Sequence, residues 1–192
     1  ANYVYVRQKD NLPYGNASPL LAAKHLIDDD ESFIFMYGDD LVLSEKSACS
    51  QLVSQWNKNQ KSSFVAVQEV PMEEIYRYSS IKLKEGTKYV MEDMVEKPNP
   101  EEAPSNLTAY GRFIFNYSIF DYLDPSGTGK GGELWLTDAI SALAKEHEVR
   151  VANLDGQWLT TGDPFRYLKT TILYALQRDD LSQPLREFLK TI

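Results

Sequence analysis

The sequence predicts an α/β fold: a mixed, mainly parallel sheet followed by a helical C-terminal part. Three observations carry this expectation. Ser32 to Tyr37 is a continuous apolar run ending in Gly38-Asp39-Asp40, the pattern of a strand buried on both faces with a polar turn at its carboxyl end. Phe64 to Val70 is a second such run, and a helix-spaced segment lies between them. Strand–helix–strand alternation implies parallel strands joined by right-handed crossovers. The chain is long enough for this. It has 192 residues, 43% hydrophobic and 25% charged, and chains of this size hide roughly 70% of their unfolded surface.

Taken in order, Tyr3 to Val6 is rich in aromatic and β-branched residues and predicts a strand. Asn11 to Asn16 is a loop by its Pro, Gly and Asn content, and Pro19 suits the first turn of a helix running to Ile27. Ser44 is the expected N-cap of a helix reaching about Asn59. Ile75 to Leu83 and Lys88 to Glu96 predict a hairpin around Glu85-Gly86-Thr87, and Leu107 to Phe115 a further strand. Tyr117 to Leu123 predicts a short helix, Glu133 to Glu146 an amphipathic helix, and Val149 to Leu154 a strand. Pro164 to Leu176 and Pro184 to Leu189 close the chain as helices.

Composition removes several function classes. Twenty basic against 28 acidic side chains leave a net charge of −8, which argues against nucleic acid as a partner because such binding needs a basic face. No run approaches a membrane span, and Ala1-Asn2-Tyr3 does not open a signal peptide. A single cysteine, Cys49, forms no internal disulfide and suits a reducing, cytoplasmic setting. His25 and His147 show no metal-ligand spacing. Ser126 to Gly132 resembles a phosphate loop at first sight, but the Walker pattern needs glycine where Asp124 stands and Ser or Thr where Gly131 stands.

Two short segments remain as candidates for chemistry. Asp39-Asp40 lies beyond the carboxyl end of a predicted strand, where open α/β sheets bind ligands, and a carboxylate there suits Mg²⁺. The alternative is a polar turn in which Asp40 caps the next element. In Glu96-Lys97-Pro98 the proline disfavours a helical Lys97, so extended chain is expected, with the two side chains on opposite sides. One would then bind a hydroxyl and the other a phosphate. A solvated strand end is the alternative.

Several segments together resemble the bacterial-type UTP–glucose-1-phosphate uridylyltransferases, within the sugar-phosphate nucleotidyltransferase family. They are Tyr5 to Gln8, the loop at Gly15, Tyr37 to Asp40, Val95 to Pro98, Ala103 to Leu107, Gly111-Arg112-Phe113, Gly131 to Ile140, and Gly162-Asp163 with Tyr167-Leu168-Lys169. The resemblance implies a Rossmann-like sheet of the nucleotidyltransferase type. It makes residues 1–192 an incomplete domain, the C-terminal portion of a longer parent. It also implies uridylyl transfer from UTP to glucose 1-phosphate, giving UDP-glucose and pyrophosphate. By the same resemblance Asp39 is the magnesium-binding aspartate, Glu96 holds sugar hydroxyls and Lys97 contacts the sugar phosphate. Gly111 brings main chain close to the glucose, while Gln8 and Gly15 lie where relatives hold the uracil. The Gly131 to Ile140 match reads as a loop feeding a helix.

The sequence departs from the family pattern in four places. One is Tyr78-Ser79, where Tyr-Gly is usual after the fourth strand, a change expected to alter contacts to the sugar. The glycine-rich nucleotide loop that grips the triphosphate is absent. The base loop here is Gly15-Asn16-Ala17-Ser18-Pro19, and Thr160 stands where a second metal-binding aspartate is usual, with Asp163 nearby as a candidate substitute. A degenerate, non-catalytic domain that binds a sugar phosphate or acts in assembly is therefore the alternative. The chain alone is expected to be inactive. Bared sheet surface predicts self-association, and a homo-oligomer is expected.

Overall fold

The computed structural model describes residues 2–8, 11–127 and 129–192, so Thr128 of the rejected phosphate-loop match lies outside the described residues. Helix α1 (Ser18–Ala23) carries Pro19 in its first turn, and a 3₁₀ turn at Lys24–Leu26 extends it. Strands β1 (Ser32–Met36) and β2 (Asp40–Leu43) flank the turn at Gly38-Asp39. Because β2 occupies the four residues after that turn, Ser44 comes directly after a strand and caps nothing. Helix α2 (Ala48–Trp56) is capped instead by Ser47, whose Oγ accepts the Ser50 N–H at 3.2 Å. Next come β3 (Ser63–Glu69), β4 (Ser79–Leu83), β5 (Met91–Glu96) and β6 (Leu107–Asn116). Helix α3 (Leu136–Glu146), β7 (Val149–Asn153) and β8 (Gln157–Thr160) lead to α4 (Pro164–Leu176) and α5 (Asp179–Leu189). Pro184 lies inside α5 rather than at its start.

The main sheet has the order β1-β6-β3-β7. β6 is antiparallel to both β1 and β3, and β3 is parallel to β7. β1, β3 and β7 therefore run one way with β6 reversed among them. The crossover through α2 does join strands of like direction, but they are not neighbours, so the sheet is mixed and its only parallel pair among the described strands is β3–β7. Two ribbons stand beside it: β4 with β5, and β2 with β8.

Period-two alternation divides the core between the two sheet faces. Val65, Val67, Phe113, Phe115, Val149 and Val151 face a large cluster completed by α3 and the β4–β5 ribbon. Phe64, Ala66, Tyr110, Ile114 and Ala152 face a smaller cluster completed by Leu52 of α2. On α3, Leu136, Ala139, Ile140 and Leu143 form one helical stripe, and all are buried. The expectation that the first apolar run is buried on both faces does not hold. β1 is an edge strand that turns Phe33 and Phe35 to the core and leaves Ile34 (40% exposed) and Met36 (52%) outside, because α2 packs over β6 and β3.

Tyr3 to Val6 forms no strand, and Tyr3, Val4 and Tyr5 are exposed. A lone extended segment leaves its ladder hydrogen bonds unmade, and no described strand pairs with it.

Candidate functional site

The turn after β1 separates its two aspartates by function. Asp40 is buried. Its Oδ2 accepts the Gly111 N–H at 3.0 Å and its Oδ1 accepts the Trp158 indole N–H at 2.8 Å. Burial pushes the Asp40 carboxyl above its ordinary range, while these two donors pull it back. Arg112, also buried, donates to the carbonyls of Tyr37 (2.9 Å), Gly111 (2.6 Å) and Asp40. Asp40 and Arg112 thus brace the turn from inside and leave Asp39 exposed at the rim.

Register in the second ribbon brings Thr160 opposite Asp40. Thr161 donates through its N–H (2.7 Å) and its hydroxyl (3.0 Å) to the Asp39 carbonyl. Asp39 Oδ2 and Thr160 Oγ1 each lie 3.4 Å from the point where a side chain on Gly162 would begin, so both face the same space. Asp163 does not join them. Its carboxylate caps α4, accepting the Arg166 N–H at 2.9 Å, and pairs with the Arg166 guanidinium at 2.7 Å. Among the described residues no three His, Cys, Asp or Glu side chains gather as a metal cage. One free carboxylate beside a hydroxyl suits Mg²⁺ only in its substrate-linked mode, with phosphates and water completing the shell. To that extent Asp39 fits the ion.

Glu96 and Lys97 depart from the extended-chain expectation. Lys97 has φ +43°, the one non-glycine residue among those described with positive φ. Extended chain would send adjacent side chains apart, whereas this left-handed residue turns them together. Lys97 Nζ lies 3.8 Å from Glu96 Oε1 and 4.6 Å from the centre of the Trp135 ring. A left-handed lysine before proline is strained, and such strain clusters at functional sites. The Glu96 side chain is 14% exposed. Burial raises its pKa, against the lowering influence of Lys97 and of the adjacent Thr137 hydroxyl, which falls short of normal hydrogen-bond geometry.

A cavity of about 190 Å³ joins these pieces, with Tyr37, Asp39, Glu96, Gly111, Thr137 and Thr160 among its walls. Lys97 reaches its edge through Glu96. Gly111 needs to be glycine: a Cβ there would stand 2.5 Å from the Tyr37 Cβ and 2.8 Å from Asp40 Oδ2. Its N–H is committed to Asp40, so its place in the wall comes from close packing. Gln8 and Gly15 are not in the wall. Gln8 belongs to the exposed stretch without strand structure, and Gly15 (φ +146°) packs against the Leu134 backbone, with Tyr14 accepting the Leu134 N–H at 2.8 Å. Asn16 does line the cavity, and its Oδ1 accepts the Leu136 N–H at 2.8 Å. A larger cleft of about 590 Å³ shares Arg77, Tyr78, Trp158 and Thr160 with it and also carries Arg166 and Lys169. The smaller cavity holds the candidate chemistry because Asp39, Glu96 and Gly111 converge there.

The sequence pattern of the nucleotidyl transferase family matches residues 2–175. The chain belongs to the nucleotidyl transferase family. Its relatives include UTP–glucose-1-phosphate uridylyltransferase 2 of Staphylococcus saprophyticus, 39% identical over 194 aligned positions covering 100% of this chain and 66% of that protein. The UTP–glucose-1-phosphate uridylyltransferase of Staphylococcus epidermidis is 38% identical over the same shares. The chain therefore spans a little less than two thirds of the length of these relatives. Among solved structures, a UDP-glucose pyrophosphorylase complexed with UDP-glucose superimposes with a TM-score of 0.80 at 32% identity, over 91% of this chain and 66% of the other. A UDP-glucose pyrophosphorylase from Acinetobacter baumannii gives 0.81 at 26% identity, over 97% and 64%.

In this nucleotidyl transferase chain, sequence reasoning misses Trp135, Thr137 and Trp158. Trp135 and Thr137 fall where α3 begins, in a segment that reads as a loop feeding a helix. Trp158 gives itself away only through its partner Asp40, 118 residues distant.

Proposed function

We propose that this chain supplies the sugar-phosphate site for uridylyl transfer from UTP to glucose 1-phosphate, within a parent enzyme of its relatives' length. The observation that carries the reading is the pairing of Glu96 with Lys97 on one side of a left-handed turn, at a cavity that also takes in Asp39. A half-buried carboxylate suits sugar O–H donors, and the adjacent ammonium suits the phosphate of the same molecule. A phosphate oxygen of glucose 1-phosphate attacks the α-phosphorus of UTP. A P–O bond forms, the bond to the β-phosphate breaks, and pyrophosphate leaves with its electron pair. The nucleophile is already anionic, so the work is charge neutralisation and alignment. Lys97 neutralises and orients the sugar phosphate, and Asp39 is placed to hold Mg²⁺, which when bound screens the developing charge on pyrophosphate. With a net charge of −8 on the chain, these local cations carry the attraction.

Thr160 facing Asp39 favours a second reading, a domain that binds sugar phosphate without turning it over. Calorimetry of the purified chain with glucose 1-phosphate tests the shared part: binding is expected, and it is lost in Lys97→Ala and Glu96→Gln. Equal binding by both variants overturns the site assignment. A pyrophosphate-release assay on the parent separates the readings, since only the first expects turnover.

A further inference from the structure

Two buried side-chain polar atoms among the described residues have no hydrogen-bond partner: Trp56 Nε1 and Thr137 Oγ1. Trp56 packs at the margin of the smaller apolar cluster. Thr137 is different. It is 7% exposed, it lies in the first turn of the eleven-residue α3, and it lines the cavity that contains Glu96. We propose that Thr137 is a specificity-determining residue whose hydroxyl donates to a ring hydroxyl of the sugar phosphate, beside Glu96. This rests on reading the cavity as a sugar-phosphate site.

Hydrogen-bond complementarity gives the two side chains a joint role. A carboxylate only accepts, so Glu96 can accept a hydrogen bond from a sugar O–H but cannot donate to that hydroxyl's oxygen. A threonine hydroxyl can donate to it, and the two side chains together complete one O–H group. A buried hydroxyl without a partner is destabilising, and here the missing partner faces the cavity. Its neighbouring acceptor is Glu96, which it approaches outside normal hydrogen-bond geometry, and the start of α3 does not use it as a cap. Trp135 provides no side-chain cap, and the Leu136 N–H is already taken by Asn16. The cavity of about 190 Å³ has room, since water at liquid density would fill it with roughly six molecules. Sites built to hydrogen-bond a hydroxyl discriminate strongly against the analogue that lacks it.

The test is calorimetry on the whole chain with glucose 1-phosphate and a series of its singly deoxygenated analogues. Thr137→Val is expected to weaken glucose 1-phosphate binding about tenfold and to leave binding of one deoxy analogue unchanged. Thr137→Ser should restore the wild-type pattern. Without ligand, Thr137→Val should melt at or above the wild-type temperature, because the orphaned hydroxyl is gone, and that readout also shows that the variant is folded. If Thr137→Val binds glucose 1-phosphate as wild type does, or weakens every analogue by the same factor, the proposal is overturned. Loss of binding in Glu96→Gln would then leave the sugar-phosphate reading standing. Failure of the wild-type chain to bind glucose 1-phosphate overturns both.

Discussion

At the residue scale the two neighbouring aspartates do different jobs, and burial decides which. Asp40 commits its oxygens to Gly111 and Trp158, so it shapes the turn. Asp39 keeps its carboxylate at the rim. In an enzyme of the length proposed above, Asp39→Asn is expected to lower kcat far more than it raises KM for glucose 1-phosphate, with a loss of several kcal/mol in transition-state stabilisation. Steady-state kinetics at saturating Mg²⁺ measure this, and unchanged kcat removes Asp39 from the mechanism. Glu96 makes a pH prediction. Its folded pKa is raised above the ordinary 4.5, mainly by burial. The folded state then binds more protons than the unfolded state across the window between the two values. The stability gained through that proton is full below about 4.5 and is lost as pH rises through the folded pKa. Glu96→Gln has no such loss, so its stability relative to wild type should be greater at pH 7 than at pH 4 in urea unfolding. A difference independent of pH would mean that the carboxyl is not desolvated.

At the element scale, α2 seals one face of the sheet and starts at Ser47. Ser47→Ala should cost about 1 kcal/mol, read as a lower midpoint of urea unfolding with an unchanged slope. Ser44→Ala, which leaves the cap intact, should cost less. Equal losses would return the cap to Ser44. Sequence alone sets this boundary too early because β2 is only four residues long, and its partner strand β8, with Thr160 opposite Asp40 and Trp158 opposite Val42, lies far along the chain. Local patterning cannot see that partner. The α3 stripe, by contrast, is plain from spacing alone, and Leu136, Ala139, Ile140 and Leu143 are all buried as it predicts.

At the scale of the molecule, the edge of β1 that no strand pairs with among the described residues matters most. Ile34 and Met36 are exposed on it, and Tyr3, Val4 and Tyr5 are also exposed. Edge strands with apolar faces promote association, so the purified chain should self-associate with rising concentration in sedimentation velocity. A double Ile34→Lys, Met36→Lys variant should hold it as a monomer, and a wild-type chain that stays monomeric would show that the edge is protected. The same chain contains no glycine-rich triphosphate loop. It should bind glucose 1-phosphate and release no pyrophosphate from UTP.

The sequence by itself determined the α/β class, the strands from Phe64 and Leu107, the hairpin, the helices α3 and α4 and the cavity positions Asp39 and Glu96, because each of these is a local matter of periodicity, turn chemistry or a short motif, while Gly111 was legible only through the family resemblance. The tertiary structure decided what local rules could not reach. It placed β6 between strands of like direction, since pairing partners are chosen by the whole core and not by neighbours in the chain. It put Lys97 at positive φ, against the preference that Pro98 imposes on an isolated chain, because the Lys97 N–H is held by the Tyr78 carbonyl at 2.9 Å. It also turned Thr137 into the cavity beside Glu96, a meeting of a helix start and a strand end 41 positions apart that only packing could bring about.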